Sequence, residues 1–352
     1  MTQKDISKVA LVAGASGIVG SQLVNTLLDN GWQVIGLSRR TVQRTDSITT
    51  VNVDLLDAQQ SAQTLQPLSM VTHIFYSAWL NAANWTEMVE PNITMLRNLV
   101  SNIERVAPLE SISLMQGYKV YGAHLGPFKT PARESDPGVP GREFNTAQLS
   151  WLSSFQQHKS WRWQALRPGV VGSAAPGNAM NLALSIALYA SLCKAEGLPL
   201  RFPGSAHSWL SIVDHTDATL LSEATLWAST ASAAGNQAYN VNNGDIWRWS
   251  ELWPLIARWF ELECAPPVRL SFQQLFTDYR VTWRSLANQF KLQEADILRL
   301  NDGLFADFVF SWDYDMFGDG SKLRRAGFTR FRATDEMFFD LFSQLRVARI
   351  IP

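Results

Sequence analysis

The sequence predicts an α/β chain: a doubly wound parallel sheet followed by a smaller, mostly helical lobe. Three observations predict it. An apolar run of strand length, Val9-Ala10-Leu11-Val12-Ala13, enters a turn with glycines three residues apart (Gly14, Gly17, Gly20) and leaves on a helical pattern from Ser21 to Asn30. Four further strand-like runs, ending near Leu37, Val53, Tyr76 and Gln116, alternate with helical segments, the order that yields parallel strands covered on both faces. From about Pro176 the pattern becomes mainly helical and rich in Trp and Phe. The expected division is therefore 1–175 for the sheet unit and 176–352 for the lobe, with a late strand at 238–242 returning to the sheet.

Strand, glycine turn and helix in that order open a dinucleotide-binding unit of the Rossmann kind. Gly14 permits the sharp turn, Gly17 a close approach of backbone to a pyrophosphate, and Gly20 the packing of helix on strand. The backbone around Ser16, Gly17, Ile18 and Val19 then faces an anion at the helix start. The composition agrees. Of 352 residues 46% are hydrophobic and 17% charged, so a large core is available and disorder is disfavoured. A net charge of −1 supplies no basic field for nucleic acid and no polybasic patch for lipid. The polar N-terminus is no signal peptide, and the longest apolar run, Leu182 to Cys193, is too short to span a bilayer. Cys193 and Cys264 form no metal pattern and read as free thiols in a reducing compartment. A cytoplasmic protein is expected, a homodimer being consistent with the fold.

Taken in order, the second strand is Gln33–Leu37 and ends in Ser38-Arg39-Arg40. A serine and two arginines at this point offer donors to a 2′-phosphate, where an acidic residue would hold a ribose hydroxyl; NADP(H) is the expected cofactor. The third strand, 48–53, is followed by Asp54 and Leu55, an acceptor and a cover for an adenine, or else the start of a helix cap. The fourth, 71–76, ends in Ser77 and Ala78, small enough to leave room for a ribose. A helix is expected from about Trp85 to Arg105, then a strand at 112–116 with Gln116 at its cofactor end. A Pro- and Gly-rich loop, 122–141, reads as a wall of the site. A helix from about Ala147 to His158 leads to the strand 163–166 and to Arg167-Pro168-Gly169-Val170, where Pro168 and Val170 pass over the nicotinamide.

Reductases of this architecture usually place Tyr and Lys four residues apart on one helix, and no tyrosine here has that partner. A lysine arrives by another route, in Gly117-Tyr118-Lys119-Val120-Tyr121 just after the fifth strand. That stretch, with Gly126-Pro127-Phe128, Met180-Asn181-Leu182, the run from Cys193 to Gly204, Ser38-Arg39-Arg40 and Arg167-Pro168-Gly169, resembles the progesterone 5β-reductase/iridoid synthase-like (PRISE) family over nearly the whole chain. The resemblance implies an atypical short-chain dehydrogenase/reductase that uses NADPH to reduce the C=C bond of an activated enone or enal in a small or medium carbonyl compound. The family's lysine carries over to Lys119, as a catalytic group or a holder of the nicotinamide ribose. Its tyrosine does not: the matching stretch reads Glu143-Phe144-Asn145-Thr146, with Thr146 at the catalytic position. Thr146 offers a hydrogen bond but little acidity; Tyr121 or Tyr118 could supply the phenol instead.

Weaker candidates remain. His124, His207 and His215 are expected at the surface or hydrogen-bonded, with no metal site; Asp214 and Asp217 are expected as helix caps; Trp79, Phe128, Met180 and Trp209 are candidate pocket walls. Two rivals to a reductase remain: the missing tyrosine admits a cofactor-binding sensor without activity, and the tryptophan-rich composition admits a non-reductive isomerase or cyclase.

Overall fold

The computed structural model describes residues 8–39, 48–139, 143–175 and 180–352. Six strands alternate with helices: β1 (Val9–Ala13), α1 (Ile18–Asp29), β2 (Gln33–Ser38), β3 (Thr49–Asn52), α2 (Ala58–Leu65), β4 (His73–Tyr76), α3 (Val89–Val106), β5 (Ser111–Met115), α4 (Phe144–Gln156) and β6 (Arg162–Pro168). With the late strand Gln237–Val241 they form one seven-stranded sheet ordered late strand-β6-β5-β4-β1-β2-β3, every pair parallel. The order reverses between β1 and β4, the place where such sheets open a ligand crevice at the strands' carboxyl ends.

Alternation within the strands explains why both faces are covered. Leu11, Ala13, Ile74, Tyr76 and Ile112 bury one face with Leu96, Leu99 and Leu152 of α3 and α4. Ala10, Val12 and Phe75 bury the other with Leu23, Val24 and Leu27 of α1. The helix Ala218–Thr230 lies beside α1 on this second face, so the chain beyond 176 returns a helix as well as a strand to the sheet.

The lobe is centred on α5 (Leu182–Glu196), buried without a break from Leu182 to Cys193. Asn181 caps its start and Gly197, at φ 66°, ends it. Around it pack Phe202, Trp249, Trp253, Phe272, Phe310 and Phe338. Much of the chain's tryptophan content is therefore core. Among the described residues no helix is long and apolar enough to cross a membrane.

Two helix starts differ from expectation. α3 begins at Val89, leaving Trp85 in the preceding turn, where Asn84 and Glu87 bond one another. α4 begins at Phe144, three residues early, because Glu143 accepts from the backbone N–H groups of Asn145 and Thr146. Glu is an uncommon cap.

Candidate functional site

The glycine turn is built as close packing requires. A Cβ on Gly14, which has φ +81°, would lie 2.8 Å from the Ala78 nitrogen, and one on Gly20 would lie 2.0 Å from the Gly14 oxygen. The β1 turn, Ser77-Ala78 and the first turn of α1 are thus locked together. Ser77 reinforces this through its hydroxyl, which donates to the Ala13 oxygen at 2.9 Å. Gly17 is different: its Cβ would meet only the Gly14 oxygen, at 3.4 Å. It stands at the N-cap of α1 with no side-chain cap, so the first-turn N–H groups are left for an outside acceptor. Ser16 is exposed beside it; Ile18 and Val19 turn their side chains into the packing. This arrangement fits the pyrophosphate of a dinucleotide.

Ser38 and Arg39 stand at the carboxyl end of β2, Arg39 exposed. Arg40 lies outside the described residues. Asp54 is exposed and accepts from the Leu56 N–H at 3.0 Å, while the α2 cap is Asp57. Leu55 departs from expectation: it is buried with Leu65, Val71 and Leu96, leaving little of its surface to cover an adenine. Gln116 stands directly after β5, at the expected strand end. Its amide donates to the Asn145 oxygen at 2.7 Å and its oxygen accepts from Arg167 at 3.0 Å, so the side chain ties β5 to α4 and β6. Pro168 and Val170 are buried at the end of β6, and Gly169 donates to the Thr216 hydroxyl.

Lys119 sits on a short 3-10 turn, Tyr118–Tyr121, after β5. Its ammonium lies 4.4 Å from the ring centre of Trp85 and 5.5 Å from that of Trp79. Both indoles are 37% exposed and form an open aromatic mouth; Trp85 in turn meets the edge of His124. Burial lowers the Lys119 pKa, and the carboxylate of Glu143 opposes that. Burial, then Lys119, pulls His124 down to about 4. Trp85 and Glu143 are not among the candidates the sequence offers; His124 is, but it stands partly buried with its Nδ1 unpartnered, neither at the surface nor hydrogen-bonded through that atom. Glu143 carried the one available signal, a carboxylate three residues before Thr146.

The three hydroxyl candidates fare differently. Tyr121 is buried, accepts from Arg167 Nη1 at 3.0 Å and donates to Asn240 Oδ1 at 2.6 Å. Its one proton is committed to the protein. Tyr118 donates to Asp214 Oδ2 at 2.7 Å, and burial with that carboxylate drives its pKa well up. Thr146 is exposed in the first turn of α4, where Phe144 and Asn145 are buried, and donates to Glu143 Oε2 at 3.2 Å.

Asp214 is no helix cap. It is buried, accepts from Tyr118, the Gly318 N–H and Asn242, and is pushed up to about 7 by burial against those donors. Asp217 does cap, accepting from Thr219 and Leu220. His215 is 1% exposed between Trp249 and Phe338, not at the surface, whereas His207 is exposed. Trp209 packs on Phe202 and Phe128 against the Tyr118–Tyr121 cluster; Met180 is exposed. A cavity of about 570 Å³ opens elsewhere, between Gln22, Ser173, Asp217 and Arg330. Its walls hold an Arg330–Glu223 ion pair and none of the groups around Lys119.

A model of the PRISE-like Rossmann-fold domain matches residues 10–352. The 3-oxo-Delta(4,5)-steroid 5-beta-reductase of Arabidopsis thaliana is 30% identical, covering 99% of this chain and 94% of that one. The (S)-8-oxocitronellyl enol synthase of Nepeta racemosa is likewise 30% identical, with 99% and 94% covered. Among solved structures, a UDP-glucose 4-epimerase of Thermus thermophilus in complex with NAD superposes with a TM-score of 0.67 at 18% identity, covering 97% of this chain and 99% of the other. A short-chain dehydrogenase/reductase superfamily protein of Agrobacterium tumefaciens with bound NAD gives 0.68 at 14%, covering 97% and 98%.

Proposed function

The chain belongs to the family of PRISE-like Rossmann-fold proteins, and from that premise we propose that it is an NADPH-dependent reductase of an activated C=C bond in a small or medium apolar carbonyl compound. The observation that carries the reading is Lys119 beside two half-exposed indoles, on the turn after β5, at the same carboxyl edge of the sheet as the Gly14–Gly20 turn and separated from it by β4. Trp79 and Trp85 supply flat apolar walls for an unsaturated carbonyl. When bound, the reduced nicotinamide supplies a hydride to the β-carbon of such a substrate. The chain's part is to hold the carbonyl oxygen where negative charge builds, and a cation aimed there stabilises it. Tyr121 and Tyr118 belong to the framework beneath this site, their protons held by Asn240 and Asp214.

The choice of NADPH rests on Ser38 and Arg39 at the end of β2. NADPH oxidation with a panel of enones and enals tests the reading, alongside Kd for both cofactors. Turnover of at least one enone is expected. Arg39→Ala should weaken NADPH roughly ten- to a hundred-fold, the worth of a hydrogen bond to a charged group, and leave NADH binding where it was. Tight cofactor binding with no turnover on any member would favour a sensor instead; product formation without NADPH consumption would favour an isomerase or cyclase.

A further inference from the structure

Two carboxylate oxygens of Glu143 do separate work. Oε1 accepts from the backbone N–H and the side-chain amide of Asn145, at 3.1 and 2.8 Å. Oε2 accepts from the backbone N–H and the hydroxyl of Thr146, at 2.9 and 3.2 Å. The residue is 7% exposed, at the very start of α4, which packs against the 3-10 turn that carries Lys119, and its carboxylate favours the Lys119 ammonium there. Four hydrogen bonds fix where that charge stands. A hydroxyl that donates to a carboxylate has no second proton to give.

We propose that Glu143 is a positioning residue of the reaction: it holds the proton of the Thr146 hydroxyl on itself and steadies the Lys119 ammonium, so that Lys119 alone donates to the enolate oxygen. This rests on the reductase reading above. In the step, the β-carbon accepts the hydride that the reduced nicotinamide supplies, leaving it oxidised. The C=C electron pair moves to the carbonyl oxygen, which Lys119 hydrogen-bonds without giving up its proton. The α-carbon then takes a proton from water.

Among the described residues the groups facing Lys119 are few. Glu143 faces it from the cap of α4, His124 from the loop after the 3-10 turn, and the uncharged Trp79 and Trp85 from the segment after β4. Tyr118 and Tyr121, on its own turn, bond Asp214, Asn240 and Arg167. Among the described residues Glu143 is thus the negative charge that partly offsets the desolvation of the ammonium.

Titration of Lys119 by ¹³C NMR of its ε-carbon in the cofactor-free protein reads this coupling without turnover. Glu143→Gln should move the midpoint to lower pH by roughly one unit, the size of shift a single nearby charge gives. The alkaline limb of kcat/KM should move with it, and Glu143→Asp should restore both. A midpoint that does not move overturns the proposal. Thr146→Val is the second arm: a several-fold loss in kcat with the Lys119 midpoint in place is expected. A loss of about a hundred-fold or more, the cost of deleting a donor to the oxyanion, would return the role to Thr146. If the wild type reduces no enone the reductase reading fails, while the NMR arm still decides whether Glu143 acts on Lys119.

Discussion

Single residues decide which hydroxyl is free, and hydrogen-bond partners are not legible in a sequence. Lys119 stood out because its neighbours Gly117, Tyr118 and Tyr121 form a recognisable run. The two tyrosines stood out for the same reason, yet their phenols turn to opposite buried acceptors, Asp214 and Asn240, nearly a hundred residues or more away in the chain. Tyr121→Phe tests the consequence. It leaves Arg167 Nη1 and Asn240 Oδ1 each short of a partner in a buried place, which costs about 1–3 kcal/mol. Urea unfolding should register that loss, while kcat on the best enone should fall less than tenfold, as a framework residue requires. A much larger fall in kcat with unchanged stability would put the phenol back at the carbonyl. Glu143 is not legible as a cap because Glu rarely caps a helix: the sequence pattern starts α4 at Ala147 and places the carboxylate before it, whereas the structure starts the helix at Phe144.

The elements of the sheet were legible because their signals are local. Each strand of the parallel sheet is an apolar run bounded by polar or turn residues, and each crossover helix has its own periodicity. The glycine turn was legible too, but its three glycines do not do the same work. Gly20 faces the Gly14 backbone at 2.0 Å from where a Cβ would stand, and backbone cannot move aside cheaply. Gly20→Ala should therefore push α1 off β1, costing about 1–3 kcal/mol as overpacking does, and weaken NADPH as well. Gly17, at φ −78°, has room for a methyl on the protein side. Gly17→Ala should leave the unfolding midpoint of the cofactor-free protein in place and cut NADPH affinity at least tenfold. Calorimetry with thermal unfolding separates the two. Equal loss of stability in both variants would make the turn a packing device only.

At the scale of the whole molecule, buried titratable groups set how stability follows pH, and their burial was not visible in the sequence because it is a property of the fold. His73 and His215 are both pulled down to about 4, chiefly by burial. Between their ordinary 6.5 and about 4 the unfolded chain binds protons that the folded one refuses, so stability falls as pH falls through that window. Asp214 works in the opposite sense. Burial raises it from 3.8 to about 7, so the folded chain keeps a proton that the unfolded one has released, and stability falls as pH rises between those values. Each group contributes a slope of up to about 1.4 kcal/mol per pH unit. Two substitutions separate the senses. His215→Phe keeps an aromatic ring between Trp249 and Phe338 and removes the proton-refusing site; between pH 4.5 and 6.5 its unfolding free energy should depend on pH less steeply than the wild type's. Asp214→Asn keeps an oxygen for Tyr118 and the Gly318 N–H and removes the proton-keeping site; its dependence should be steeper over the same window. Urea midpoints measured across that window read both. Parallel curves for all three proteins would mean that neither group is held in the state its burial dictates. A change of the same sign in both variants would mean that they act through packing and not through their protons.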